Sequence, residues 1–380
     1  MHRRTEGENV KSEARSLLRI AVTAGLVGVS LISISSAAPS AFAQSDEAVG
    51  LAELQAREVW RATMHQIPAP GKGCFHASYP STRWEEVECV APPGYRSALP
   101  KDVGREQTVG NGYDYVAQAP SGHLFSSAIG SFPTVKGVMS EKSVGVPAFG
   151  DGGILGNNEY TLQVNTNFAN TKACAGYSGC LAWQQYVLST NTPVSLTSNQ
   201  LTGNTEVFIE YWLINYGVDN GTDICPKGFI DGGADASGPG DDCVQNTTAA
   251  VVAKGQIPIT DLASLKLSGT AKASGTDAAT VTFGTNAYTA TVADSLTDIA
   301  SGWSQAEFNV LGNAGGSKAD FNSGSSVTVK VALADGSSTA PTCVSPSNYD
   351  GTTGETNNLS LGKCITTGGS SPYIQFTETH

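Results

Sequence analysis

The sequence predicts an all-β fold: one antiparallel β-sandwich, preceded by a small helix-plus-disulfide module. Three observations carry that reading. From about Gly112 onward, short runs alternate apolar and polar residues, which is the period of strands. The 380-residue chain holds 43 glycines and only 15% charged residues, a composition of many turns between strands. All eight cysteines lie after residue 43, in four close pairs that staple local loops.

Residues 1–43 read as a signal peptide. Arg3, Arg4, Lys11, Arg15 and Arg19 form a basic leader, "IAVTAGLVGVSLISIS" is its apolar core, and Ala41-Phe42-Ala43 is a small-residue cleavage site. The apolar run is short and broken by serines, unlike a membrane anchor. The expected location is secreted, extracellular or periplasmic, with no membrane attachment after cleavage. The full chain carries 22 basic and 34 acidic side chains, a formal charge of −12. The leader holds five of the bases and three of the acids, so residues 44–380 carry −14. That charge argues against nucleic acid and anionic membrane as partners, because both need a basic patch. It suits an exported protein and one that works in acid.

The cysteine spacing suggests sequential pairing: Cys74 with Cys89, Cys174 with Cys180, Cys225 with Cys243, and Cys343 with Cys364. A zinc site is the rival reading. It lacks any C-x-x-C, and the histidines after the leader are few and scattered.

Residues 44–110 form an N-terminal module, a propeptide or an arm packed on the main domain. Val49, Ala52, Ala56, Val59 and Trp60 give residues 44–66 a helical stripe, ended by Pro68 and Pro70. Residues 111–380 form the sandwich. "YTLQVNTNF" (160–168) and "SSVTVKVAL" (325–333) alternate as half-buried strands. "TEVFIEYWLINY" (205–216) is apolar on both faces and reads as a central strand. "ATVTFGTNAYTATV" reads as two strands around Gly284, and "DSLTDIASGW" as a short helix. No repeat of 20–50 residues is visible, which argues against a propeller or β-helix.

No G-x-S-x-G elbow, H-E-x-x-H, Walker loop or dinucleotide fingerprint occurs. His123 reads as a strand-end histidine. What remains is carboxylates, amides and aromatics. Glu210 shares a strand face with Phe208 and Trp212, where burial would suit it to acid catalysis. Glu307 shares a face with Gln305, Asn309 and Leu311. "LAWQQYVLS" (181–189) puts Trp183, Gln185 and Val187 on one side, with Gln184 and Tyr186 on the other. The catalytic candidates are therefore Gln185, Glu210 and Glu307, and the binding candidates Trp183, Trp212 and Tyr211. Together they would line a polar-aromatic groove for an extended peptide or glycan. The alternative is that Glu210 and Glu307 lie on the solvated face of an outer sheet.

These motifs resemble the secreted glutamic peptidases, or eqolisins, over about residues 155–335. "LAWQQYVLS" resembles the strand with that family's catalytic Gln, with Gln185 as the equivalent and Gln184 next. "FIEYWLINY" resembles its aromatic strand with an internal Glu. "SQAEFNVLG" and the following "GGSKADFNSGSSVTVKVAL" resemble its A-E-[FW]-I-x-E strand and the strand after it. The resemblance implies a concanavalin-like jelly roll and acid proteolysis, with Gln and Glu activating a water. The chain departs from the pattern at the family's second Glu, where Leu311 stands, and at the glycine after the Gln, where Tyr186 stands. Leu311 favours a non-catalytic binding or envelope protein that kept the sandwich. An acid endopeptidase using a Gln/Glu pair is the alternative. A glycosidase using Glu210 and Glu307 is a third, and would need those carboxyls about 5–10 Å apart.

No cofactor is expected. Asp231, Asp235, Asp241 and Asp242, in an Asp/Gly-rich loop, are the one oxygen-rich set that could take calcium, although their spacing fits no EF-hand.

Overall fold

The computed structural model describes residues 50–94, 114–147, 152–195, 198, 200–217, 225–232, 240–345 and 355–380. Residues 1–43, expected as a signal peptide, and Asp235 lie outside these residues. Two large antiparallel sheets enclose one apolar core, as the alternation in the sequence requires.

The first sheet has ten strands. Its order is Glu85–Val87, Gly73–Ser78, Asn286–Ala293, Thr276–Phe283, Leu265–Thr270, Ser127–Lys136, Ser326–Ala334, Tyr373–Thr379 and Ser360–Leu361, with Ile365–Thr367 also on Tyr373–Thr379. The second has nine: Ile230–Asp231, Asp241–Asn246, Asn204–Tyr216, Leu181–Ser189, Tyr160–Thr166, Gln305–Gly312, Val116–Gln118 and Thr342–Val344, with Ala250–Lys254 also on Asn204–Tyr216. A four-stranded sheet of Thr356–Asn357, Ser317–Phe321, Glu141–Gly145 and Gly156–Asn157 is separate.

The two large sheets approach closely where glycines lack a side chain. A Cβ on Gly130 would lie 2.1 Å from the Phe308 ring, and one on Gly269 would lie 2.1 Å from Tyr186. Phe308 also packs against Phe132, with ring centroids 5.1 Å apart.

The four disulfides follow the sequential pairing. Among the described residues no helix is long and apolar enough to cross a membrane.

The strand over Ser326–Ala334 alternates half-buried and buried residues as expected. Tyr160–Thr166 differs, because every residue in it is buried on both faces. The segment expected as a short helix forms two 3-10 turns instead, Asp294–Leu296 and Ile299–Ser301.

The helix spans Leu51–Met64. Its buried stripe matches the expected one at Trp60 only. Trp60 and Met64 are buried with Phe75, Ala77 and Trp84, while Val59 is 67% exposed. Glu53 and Arg57, both half-exposed, form an ion pair (3.0 Å) on the side of the buried residues, and Tyr79 Oη donates to Glu53 (3.1 Å). Gly73–Ser78 pairs with Asn286–Ala293 over six residues, so this part of the N-terminal region is built into the ten-stranded sheet.

Candidate functional site

Strand alternation sends odd-numbered residues of Tyr160–Thr166, Leu181–Ser189 and Gln305–Gly312 to the same face as even-numbered residues of Asn204–Tyr216 and Asp241–Asn246. The register then aligns them. Glu307 pairs with Asn165, Asn165 with Gln185, Gln185 with Glu210, and Glu210 with Asn246. Five polar side chains therefore form one row across five strands. It lies on the face of the nine-stranded sheet that points away from the main core.

The row is hydrogen-bonded. Gln185 Nε2 donates to Gln163 Oε1 and to Asn165 Oδ1, both at 3.1 Å. Asn165 Nδ2 donates to Glu307 Oε2 at 3.0 Å. Glu210 Oε1 accepts from the Trp212 indole at 2.9 Å. Gln163, Gln185, Glu210 and Glu307 each have further interactions. The solvated-face alternative does not hold: Gln185 and Glu210 are 0% exposed and Glu307 is 1% exposed.

Trp183 and Trp212 face each other one row along and form an apolar cluster with Phe168, Leu181, Ile214 and Val244. Tyr211 requires correction. As an odd-numbered residue of Asn204–Tyr216 it points to the opposite face and is part of the main core with Val207, Ile209 and Leu213. Gln184 likewise faces the core, so of the two glutamines only Gln185 belongs to the row.

Glu210 and Glu307 are three strand intervals apart, about 14 Å between backbones at the usual spacing. Two strands stand between them, which is wider than a two-carboxylate glycosidase needs.

An acidic corner adjoins Glu307. Asn309 Nδ2 donates at 2.6 Å to both Asp114 Oδ1 and Glu378 Oε1. Burial pushes the Glu378 carboxyl well above the usual range, and the charges of Asp114 and Glu307 add to this; the Asn309 and Asn357 amides act against it. At the other end of the face, a cavity of about 420 Å³ is lined by residues including Gln118, His123, Asn167, Phe168 and Ser304. His123 Nδ1 lies 3.1 Å from the Asp335 carbonyl, so that nitrogen carries the proton.

The chain lays part of itself on this face. Val90 bridges to Ala249 and packs with Val187 and Phe208. Asn246 Nδ2 donates to the Pro93 carbonyl at 2.9 Å, and the Gly94 amide donates to Pro193 at 2.7 Å.

Of the calcium candidates Asp231, Asp235, Asp241 and Asp242, Asp235 lies outside the described residues. Asp241 and Asp242 are successive strand residues and point to opposite faces, and Asp242 Oδ1 accepts the Asn215 amide at 2.8 Å. No cluster of three or more His, Cys, Asp or Glu that could hold a metal occurs among the described residues.

The sequence reading missed Asn165, Gln163, Asn246, Asp114 and Glu378. Asn165 and Gln163 were visible only as the polar half of an alternating strand. Comparison with family models, curated proteins and solved structures finds no match for this chain.

Proposed function

We propose that this chain is a secreted protein whose polar-aromatic groove binds an extended polypeptide without cleaving it. The observation that carries this reading is the segment Val90–Gly94. Through a backbone bridge, a side chain-to-carbonyl bond and an amide-to-carbonyl bond, it is already seated on the groove face as an extended peptide would be. Gln163, Asn165 and Gln185 are buried and bonded to one another beside this segment, so they would meet a peptide backbone only by exchanging those bonds for bonds to it. The cavity at Gln118 and Ser304 is a place for a side chain.

A glycan is the weaker ligand. Trp183 and Trp212 are packed among apolar neighbours and do not stand as open platforms for a sugar ring. Leu311 where the eqolisin pattern has Glu, and both Gln185 amide protons committed to neighbours, favour binding over catalysis. Acid proteolysis is the second reading, favoured by the Gln185–Glu210 cross-strand pair.

Panning of phage-displayed random peptides tests the proposal. The targets would be the whole protein, an Asn246→Ala variant that frees Pro93, and that variant combined with Gln185→Met. Enrichment on Asn246→Ala that disappears with Gln185→Met is the expected result. No enrichment on any target, or enrichment indifferent to Gln185, would count against it.

A further inference from the structure

The core side of the same strands carries a second polar cluster. Gln184 Nε2 donates to Asp277 Oδ2 at 3.0 Å and to the Tyr186 hydroxyl at 2.9 Å, while Gln184 Oε1 accepts from Thr297 Oγ1 at 2.7 Å. Asp277 Oδ1 accepts the Lys272 amide at 3.2 Å. Asp294 accepts the Ala300 amide at 3.2 Å and the Ser274 amide at 3.3 Å. Asp277 pairs with Val292 and its neighbour Thr276 with Ala293, the residue before Asp294, so the two aspartates lie beside each other, and both residues are buried.

Among the described residues the surroundings supply no counter-charge. Tyr186 and Tyr211 face Asp277 from their strands. Asp298 adds negative charge near Asp294, and its own partner is the exposed Lys172 at 3.8 Å. Lys272 contributes its amide while its side chain is exposed. Among the described residues neither Asp277 nor Asp294 forms an ion pair. Two neighbouring buried carboxyls disfavour each other's ionisation.

We propose that Asp277 and Asp294 share one proton, and that this proton clamps the 294–304 segment onto the Leu181–Ser189 strand and is lost at alkaline pH. The segment carries Gly302 and Ser304 to the groove-end cavity and runs directly into the strand of Glu307. The clamp is therefore placed to open one end of the groove, and it does not depend on what the groove binds.

Burial is the main cause that raises Asp277, to about 8; the charge of Asp294 adds, and the Gln184 and Lys272 bonds oppose. Burial also raises Asp294. Both folded values exceed the unfolded ones. The clamp is thus fully present below about pH 4 and is lost as the pH rises through about 8.

The test uses the whole protein labelled with carboxyl-13C aspartate, titrated from about pH 4 to about pH 9. Thermal unfolding over the same range would be followed for wild type, Asp277→Asn and Asp294→Asn. The proposal expects one of the two carboxyls to keep its proton above pH 7. It also expects the alkaline fall in Tm to shrink in both variants. Ionisation of both aspartates below about pH 5 would overturn it, as would variant profiles parallel to wild type. If neither variant folds, the wild-type carbon titration decides alone.

Discussion

Gln185 and Glu210 stand directly opposite one another on adjacent antiparallel strands, and both are shut away from solvent. Their carboxamide and carboxylate are held by different neighbours, Gln185 by Gln163 and Asn165, and Glu210 by the Trp212 indole. A row of this kind is strong only while each member is satisfied.

Asn165 is the hinge of the row, accepting from Gln185 and donating to Glu307. Asn165→Ala should lower stability by about 1–3 kcal/mol, the cost of leaving buried polar groups short of a bond. Urea unfolding at pH 5 measures it. A loss under about 0.5 kcal/mol would mean the row contributes little to the fold.

The Pro93 carbonyl is held by Asn246. Asn246→Ala should loosen Val90–Gly94 and raise the rate of limited proteolysis within those residues, while the Cys74–Cys89 disulfide keeps the segment attached. Peptide mapping by mass spectrometry reads the cut sites. An unchanged rate there would place the restraint elsewhere.

Glu141 lies buried between charges of its own sign. Burial raises it to about 8, with Glu159 and Asp320 adding and the Asn158 amide opposing. Its folded value is above the unfolded one, so its contribution is complete below about pH 4.5 and lost as the pH rises through about 8. Glu141→Gln, which mimics the protonated form, should match wild type near pH 4. It should gain on wild type at higher pH, by up to about 1.4 kcal/mol per pH unit. Denaturant midpoints across that range check it, and a constant difference would contradict it. His65 acts in the opposite direction. Burial and the nearby Lys266 charge lower it to about 3, so its contribution is complete above about pH 6.5 and is lost as the pH falls toward 3.

Gly130 has no room for a methyl group against Phe308. Gly130→Ala should cost about 1–3 kcal/mol through overpacking of the sheet interface. A drop in Tm of several degrees is expected. No drop would mean the two sheets can part there without cost.

Much of the fold was legible because strand alternation and cysteine spacing are local. The two-faced strand around Glu210, the hairpin at Gly284 and the disulfide pairs all follow from neighbours in sequence. Face-sharing within each strand was also legible, which is how Gln185, Glu210 and Glu307 came to be grouped. Their register was not, since it depends on which strands pair and how, including the distant pairing of Glu307 with Asn165. Burial of that face was equally hidden. The polar half of "YTLQVNTNF" looks solvent-facing by composition and becomes interior only in three dimensions. The helix stripe was read only in part: Trp60 is buried as expected, whereas Val59 is exposed and the half-exposed Glu53–Arg57 pair takes the side beside the buried residues.

The most direct measurement is equilibrium binding of a fluorescent, denatured polypeptide at about pH 4, followed by anisotropy, with its mass checked for cleavage. The targets are Asn246→Ala and Asn246→Ala/Gln185→Met. The account predicts saturable binding to the first, at least tenfold weaker binding to the second, and an intact polypeptide throughout. Binding that is equal in both, or absent from both, would contradict a peptide groove at Gln185. Cleavage that depends on Gln185 would replace binding with acid proteolysis as the function of this face.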